Sequence, residues 1–334
     1  MGNTLGPNIA IELEDLSKTY GRHGADNVKA VDALSLSVPA GQVFGFLGAN
    51  GAGKTTTIKM MCGLVTPTTG RIRVNGHDVA RERGAALRQI GAVLEGTRNI
   101  YWRLSAWQNL IYFGHLKGCY GSELKLRAER LLRELELWDR RNDATRTFSR
   151  GMQQKVAIAC ALIADPLIVL LDEPTLGLDI QASRTVKEWV AKLAREEGKT
   201  VILTTHQLDM AQDLCDHIAI MRQGRLLVNK PLAELMHVFH QEYFQIRVKG
   251  SLEECLPGKF EGLTMTVEND NILLSGAIAE QAALYEHLAS IRELRLPLLS
   301  VMRVEPNLEE VFMHLIEKGV QGDHHETFAL SHAQ

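Results

Sequence analysis

The chain has 334 residues, 45% of them hydrophobic, and a formal net charge of −3, so it is long enough for two domains and lacks the overall basic charge that nucleic acid attracts. Its five cysteines, Cys62, Cys119, Cys160, Cys215 and Cys255, are far apart and odd in number, which excludes zinc spacing and a disulfide framework and implies a reducing compartment. No charged segment followed by an apolar core opens the sequence, and the longest apolar run, residues 156–164, falls far short of the ~20 residues that span a bilayer, so a membrane role has to come through a partner.

In chain order, residues 1–10 read as a loose start, and 11–16 alternate apolar and polar side chains, the period of a half-buried strand. The strand gives way at Ser17-Lys-Thr-Tyr-Gly21 to a polar loop, and a second strand is predicted near 31–38. Tyr20 has two readings of equal weight: an aromatic packed on the sheet end, or a platform on which an adenine ring stacks. Residues 42–47 are an apolar run, read as a short buried strand, and 56–62 are competent to form a helix. Between them lies GANGAGKTT at 48–56, which fits the phosphate-binding pattern G-x-x-x-x-G-K-[ST] in its strand–loop–helix context. Gly48, Gly51 and Gly53 let backbone amides close around phosphate oxygens without a side chain in the way. The positive end of the following helix favours the same anion. Lys54 supplies charge for the β- and γ-phosphates, and the Thr55 hydroxyl is placed to bind Mg²⁺. This stretch predicts a nucleoside triphosphate binder.

Residues 70–76 alternate and then turn at Asn75-Gly76, a hairpin signal. Residues 87–93 predict an apolar strand that stops at Glu95-Gly96, and 104–164 are mostly helical in pattern, 123–137 most clearly. Residues 167–174 read as a buried strand that emerges into Asp172 and Glu173. A helix over 182–197 and another buried strand over 201–205 follow. Strands alternating with helices predict a parallel sheet with nucleotide at the carboxyl ends of its strands. Asp172 stands where phosphate-loop enzymes place the Asp that orients Mg²⁺, and Glu173 can accept a proton from a water attacking the γ-phosphate. No Asn-Lys-x-Asp guanine-reading motif is present, which disfavours GTP.

The segment FSRGMQQK at 148–155 resembles the signature of ATP-binding cassette (ABC) proteins, and with it residues 9–230 resemble a full nucleotide-binding subunit of that family, every motif in order. The resemblance implies an α/β fold: a phosphate-loop NTPase cassette with a mainly parallel sheet and a helical subdomain at about 100–164. Tyr20 matches the aromatic A-loop. The Walker A match implies nucleotide contacts from Asn50, Gly51, Ala52, Gly53, Lys54, Thr55 and Thr56. Asp172 and Glu173 match the end of Walker B, Asp179 the D-loop, and His206 the switch histidine. The family pairs two subunits, with ATP between the phosphate loop of one and the Ser149/Gly151 turn of the other. Catalytic roles are thereby implied for Lys54, Glu173 and His206. Where the family usually has a glutamine, this chain has Glu95. Glu95 is expected to serve Mg²⁺ with Thr55 and Asp172; the alternative is a solvated loop carboxylate.

Tyr101, Trp102, Trp107, Tyr112 and Phe113 crowd one segment. Most are expected in the core of the helical subdomain, while family analogy makes the stretch from Glu95 to Phe113 the groove for a coupling helix of a membrane subunit. Composition shifts after about residue 235. Alternation over 244–250, 263–268 and 272–275, a helix near 279–291, a strand near 298–304 and a helix over 308–317 predict a small α+β domain over 236–319, after a cassette over 1–235. Residues 320–334 read as a disordered tail in which His324 and His325 are bystanders. The segment VEPNLEEVF at 304–312 resembles the one closing the appended domain of exporter-type subunits that work with ABC-2 permeases. The protein so implied uses ATP and Mg²⁺, pairs with a second copy and an ABC-2-type permease, sits peripherally on the cytoplasmic face of the membrane, drives export and binds no nucleic acid. A cassette acting on ribosomes or DNA usually carries two cassettes, a coiled coil or zinc insertions, none of which this sequence contains. Glu95 keeps open a third reading, a nucleotide-binding regulator with little turnover.

Overall fold

The computed structural model describes residues 8–21, 27–96, 99–240, 243–250, 260, 262–268, 271–278, 281–303, 308–309, 311–312 and 315. The chain forms two compact units, Met1–Pro231 and Leu232–Gln334.

The first unit opens with two antiparallel strands, β1 (Ile9–Tyr20) and β2 (Val28–Pro39). β1 continues through Ser17–Tyr20, past the end that alternation predicts. Register shifts accompany Asp15 and Ala33, at φ 46° and 47°, so the pairing survives a break in the side-chain period through bulges. β3 (Val43–Leu47) leads into the 48–53 loop and α1 (Lys54–Met61). β4 (Thr69–Val74) and β5 (His77–Asp78) turn at Asn75-Gly76, whose φ values of 46° and 82° are those of the primed hairpin turn expected there. α2 (Arg83–Arg88) then precedes β6 (Ile90–Val93). Leu87 and Arg88 thus close a helix and do not open the strand, a correction to the sequence reading.

The helical segment comprises α3 (Ala106–Leu116), α4 (Gly121–Glu134) and α5 (Arg150–Leu162). α3 starts at a capping box: the Gln108 amide donates to Ser105 Oγ at 3.1 Å, and the Ser105 amide donates to Gln108 Oε1 at 2.9 Å. The face it buries is made of Ala106, Asn109, Leu110 and Gly114. Tyr101, Trp102 and Tyr112 are exposed, and Trp107 and Phe113 only half-buried, so these aromatics are not the subdomain core. The small residues of α3 let its neighbours approach closely, and the large rings turn outward.

β7 (Ile168–Asp172), α6 (Ile180–Arg195), β8 (Thr200–Thr205), α7 (Leu208–Leu214), β9 (His217–Arg222) and β10 (Arg225–Pro231) complete the unit. The strands build a four-stranded antiparallel sheet, β2-β1-β4-β5, and a six-stranded sheet, β10-β9-β3-β8-β7-β6, parallel except for the edge strand β10. β3, β7 and β8 are buried at every position. That is why they read as continuous apolar runs without alternation. Ile11, Leu34, Phe44, Phe46, Met60, Met61 and Val74 share the main core. The thiols of Cys62, Cys119, Cys160 and Cys215 are free. Burial pushes Cys62 and Cys215 up to about 12, which leaves them protonated and inert at neutral pH.

In the second unit, α8 (Leu232–His240) and β11 (Tyr243–Lys249) precede β12 (Thr264–Glu268), β13 (Asn271–Ala277), α9 (Gln281–Glu293) and β14 (Leu298–Arg303). The strands pair antiparallel in the order β12-β13-β11-β14. Ile246, Val248, Phe260, Ile272, Leu274 and Ile291 form the core of this α+β unit. Most of the helix expected over 308–317, and the 320–334 tail with its two histidines, lie outside the described residues.

Candidate active site

The parallel strands β3, β7 and β8 end side by side, so the segments that leave them converge at one edge of the sheet. From β3 comes the phosphate-loop sequence, with Gly51 and Gly53 at φ 82° and 102°, conformations a side chain would strain. Gly53 is the N-cap of α1 and brings no capping side chain, so the first amides of that helix are left for an anion. Lys54 is buried, its Nζ donating to the carbonyls of Gly48 at 2.6 Å and Ala49 at 3.2 Å. Burial lowers the pKa of its ammonium, against the opposing pull of Glu173, Asp172 and Glu95.

Asp172, 2% exposed at the end of β7, accepts hydrogen bonds from Thr55 Oγ1 at 3.0 Å, Thr204 Oγ1 at 2.6 Å and the Glu95 amide at 3.4 Å. Glu173 follows at φ 50°, with its amide held by the Thr204 carbonyl (3.2 Å) and hydroxyl (3.1 Å). That left-handed backbone in a non-glycine residue is a conformation that costs on the order of 1–3 kcal/mol and concentrates at functional sites. Its Oε1 lies 3.0 Å from His206 Nδ1. Glu95, Asp172 and Glu173 line one cleft with Arg150, Gln153 and Gln154 of α5.

Lys54, Thr55, Glu95, Asp172, Glu173 and His206 therefore come together from four separate stretches of sequence. Ser149, Gly151 and Asp179 form a second group at the starts of α5 and α6. Ser149 Oγ caps α5 through the Met152 amide (3.3 Å), and Asp179 Oδ1 caps α6 through the Ala182 amide (2.8 Å). A Cβ on Gly151 would lie 2.6 Å from that of Ala182, so the two helix starts approach as closely as glycine allows. Tyr20 stands at the end of β1, 43% exposed, with Lys18 Nζ 5.2 Å from its ring centre. Thr204 and Arg150 were not singled out by sequence reasoning. Thr204 is one of two threonines ending β8, and nothing in a single sequence says which of them reaches Asp172.

A family model described as "ABC transporter" matches residues 31–176. The ATP-binding protein NatA of Bacillus subtilis is 41% identical over 67% of this chain and 91% of its own length. The chain belongs to the ABC transporter ATP-binding proteins. The daunorubicin/doxorubicin resistance ATP-binding protein DrrA of Streptomyces peucetius is 34% identical over 92% of this chain and 93% of its own length, so that likeness continues into the second unit. A domain of unknown function, DUF8691, matches residues 243–302. Among solved structures, a dimeric post-hydrolysis cassette, MJ0796 bound to ADP and Pi, covers 66% of this chain and 98% of its own length at 28% identity, with a TM-score of 0.61. This ABC cassette is an ATP-hydrolysing subunit of the kind that dimerises and pairs with a membrane permease. Among the described residues no helix is long and apolar enough to cross a membrane.

Proposed function

We propose that this subunit binds MgATP between two copies of itself and, from the cytoplasmic face of the membrane, drives export through an ABC-2-type permease. The observation that carries the hydrolytic part is the Asp172–Glu173 pair, set at the strand end by Thr204 and facing Lys54. Backbone amides of 50–56 and Lys54 hold the triphosphate, Tyr20 stacks the base, and Glu173 polarises the attacking water with His206 holding its carboxylate. In the closed dimer, Ser149, Gly151 and Asp179 of one copy meet the nucleotide on the other.

Mg²⁺ fits the donor set. Three carboxylates, Glu173, Asp172 and Glu95, act on the Lys54 ammonium, and Arg150 lines the same cleft, so among the described residues the carboxylates outnumber the cations and a bound triphosphate adds further negative charge. The donors are all oxygen, as a hard cation requires. Thr55, Asp172 and Glu95 would hold it; its chemistry would be neutralisation of charge developing on the phosphoryl oxygens. Glu95→Gln removes one of the three carboxylates and keeps an oxygen donor. ATPase activity at saturating Mg²⁺ is expected to stay within about twofold and half-maximal Mg²⁺ to rise, because an anionic ligand is lost; total loss of activity contradicts the equivalence of Glu95 with the family's usual glutamine.

Support for export comes from DrrA, a resistance protein by name, and from the bacitracin transport protein BcrA of Bacillus licheniformis, 31% identical over 93% of this chain. Docking is proposed at the outward aromatics: Tyr101 and Tyr112 rings pack edge-on at 4.9 Å, and Trp102 beside them is 49% exposed. Trp102→Ala is expected to cut co-purification of the permease about tenfold or more at unchanged thermal stability. Trp107 is a poorer probe, because it packs edge-on against Trp138 and its loss also disturbs the fold. In vesicles, the permease should stimulate ATP hydrolysis and ATP should drive solute movement. A rate indifferent to the permease overturns the transport reading.

A further inference from the structure

One residue in a turn of the six-stranded sheet bonds both to the phosphate loop and to β2 of the four-stranded sheet. Gly224, in the turn between β9 and β10, donates its N–H to the Ala52 carbonyl at 3.1 Å. Its own carbonyl accepts from the Asp32 amide of β2 at 2.9 Å. The turn is tight against both neighbours. Gly224 has φ 80°, and a Cβ there would lie 2.9 Å from the Ala30 carbonyl oxygen and 3.1 Å from Val31 Cα, backbone atoms of β2. On the loop side, the Cα of Gly224 is 3.5 Å from where a Cβ on Gly53 would sit. Arg225 Nε donates to Asp32 Oδ2 at 2.8 Å, and Lys29 pairs with the same carboxylate, so ionic contacts flank the backbone ones. β2 pairs in turn with β1, where Val28 lies opposite Tyr20.

We propose that Gly224 is a positioning residue for ATP: its two backbone hydrogen bonds tie Ala52 of the phosphate loop to β2, fixing the phosphate cradle against the strand pair that carries Tyr20. This rests on the reading of the Lys54 loop as the ATP site. Gly224 itself does not touch the nucleotide. It acts through the Ala52 peptide, and only glycine fits, because φ 80° and the approach to Ala30 both exclude a side chain. The tie serves binding in every state of the nucleotide and adds nothing specific to the transition state, so its loss raises KM and spares kcat.

The test is steady-state ATPase kinetics of the full chain carrying Gly224→Ala, with thermal unfolding measured alongside. KM for ATP is expected to rise about tenfold while kcat at saturating ATP stays within about twofold. Arg225→Ala removes the flanking ion pair without adding an atom to the turn, and keeps the proposal open to test if Gly224→Ala fails to fold. Its KM should rise about twofold at low salt, and the difference from wild type should vanish at high salt, where the exposed pair is screened. Lys54→Met serves as the control for the site. If it keeps normal ATP affinity, the nucleotide-site reading fails. If it loses affinity while a folded Gly224→Ala keeps the wild-type KM, or loses kcat at unchanged KM, the Gly224 proposal alone is overturned.

Discussion

Glu173→Gln is expected to lower ATP turnover by a factor of about 10²–10⁴, the usual worth of a positioned general base, while leaving ATP affinity within a few-fold of wild type. The glutamine occupies the same volume and keeps an oxygen toward His206, so the Glu173–His206 contact at 3.0 Å need not be lost with the charge. What disappears is the ability to take a proton from water. The substitution also removes one of the carboxylates that face the triphosphate, which favours closure of two copies around ATP. Two measurements check it together: phosphate release under saturating MgATP, and gel filtration of the variant with and without MgATP. A collapsed rate with a dimer appearing only in ATP is the expected pair of results. Undiminished turnover would show that the base is another group.

The parallel core was legible because β3, β7 and β8 are buried on both faces and their sequences are correspondingly uniform, each ended by a loop or acidic pair that sequence alone marks. The phosphate loop was legible for the same reason: its glycines answer a backbone requirement that no other residue meets. β9 and β10 were missed. Their turn is Gln223-Gly224, at φ 50° and 80°, and glutamine is not a residue that announces a left-handed conformation. The last two residues of α2, Leu87 and Arg88, were read as strand because Leu87 adjoins an apolar run, and six residues are too few for a helical period to declare itself. The aromatic cluster was placed inside because large rings are usually buried. Of the four residues on the buried face of α3, Ala106, Asn109 and Gly114 carry little hydrophobic signal, and only Leu110 carries much. Thr204 illustrates the remaining gap: its part depends on a strand register linking it to Asp172, and register is a tertiary fact.

Complementation between two defective copies reaches the composite site itself. Lys54→Met keeps the buried volume but removes the ammonium on which Glu173, Asp172 and Glu95 act, so its own loop should bind ATP on the order of a hundredfold more weakly. Ser149→Gly removes the hydroxyl that the proposed shared site would offer to the γ-phosphate across the dimer. It costs only a few tenths of a kcal/mol at the start of α5, because glycine is itself tolerated as an N-cap. Each variant alone should be nearly inactive. Mixed in equal amounts, half the dimers are heterodimers, and each of these pairs the intact loop of one copy with the intact serine of the other, giving one working site in two. Mixing should therefore restore roughly a quarter of the wild-type ATPase rate, as closed two-fold assembly requires. A mixture as inactive as its components, or a Ser149→Gly protein that is fully active alone, contradicts the shared site.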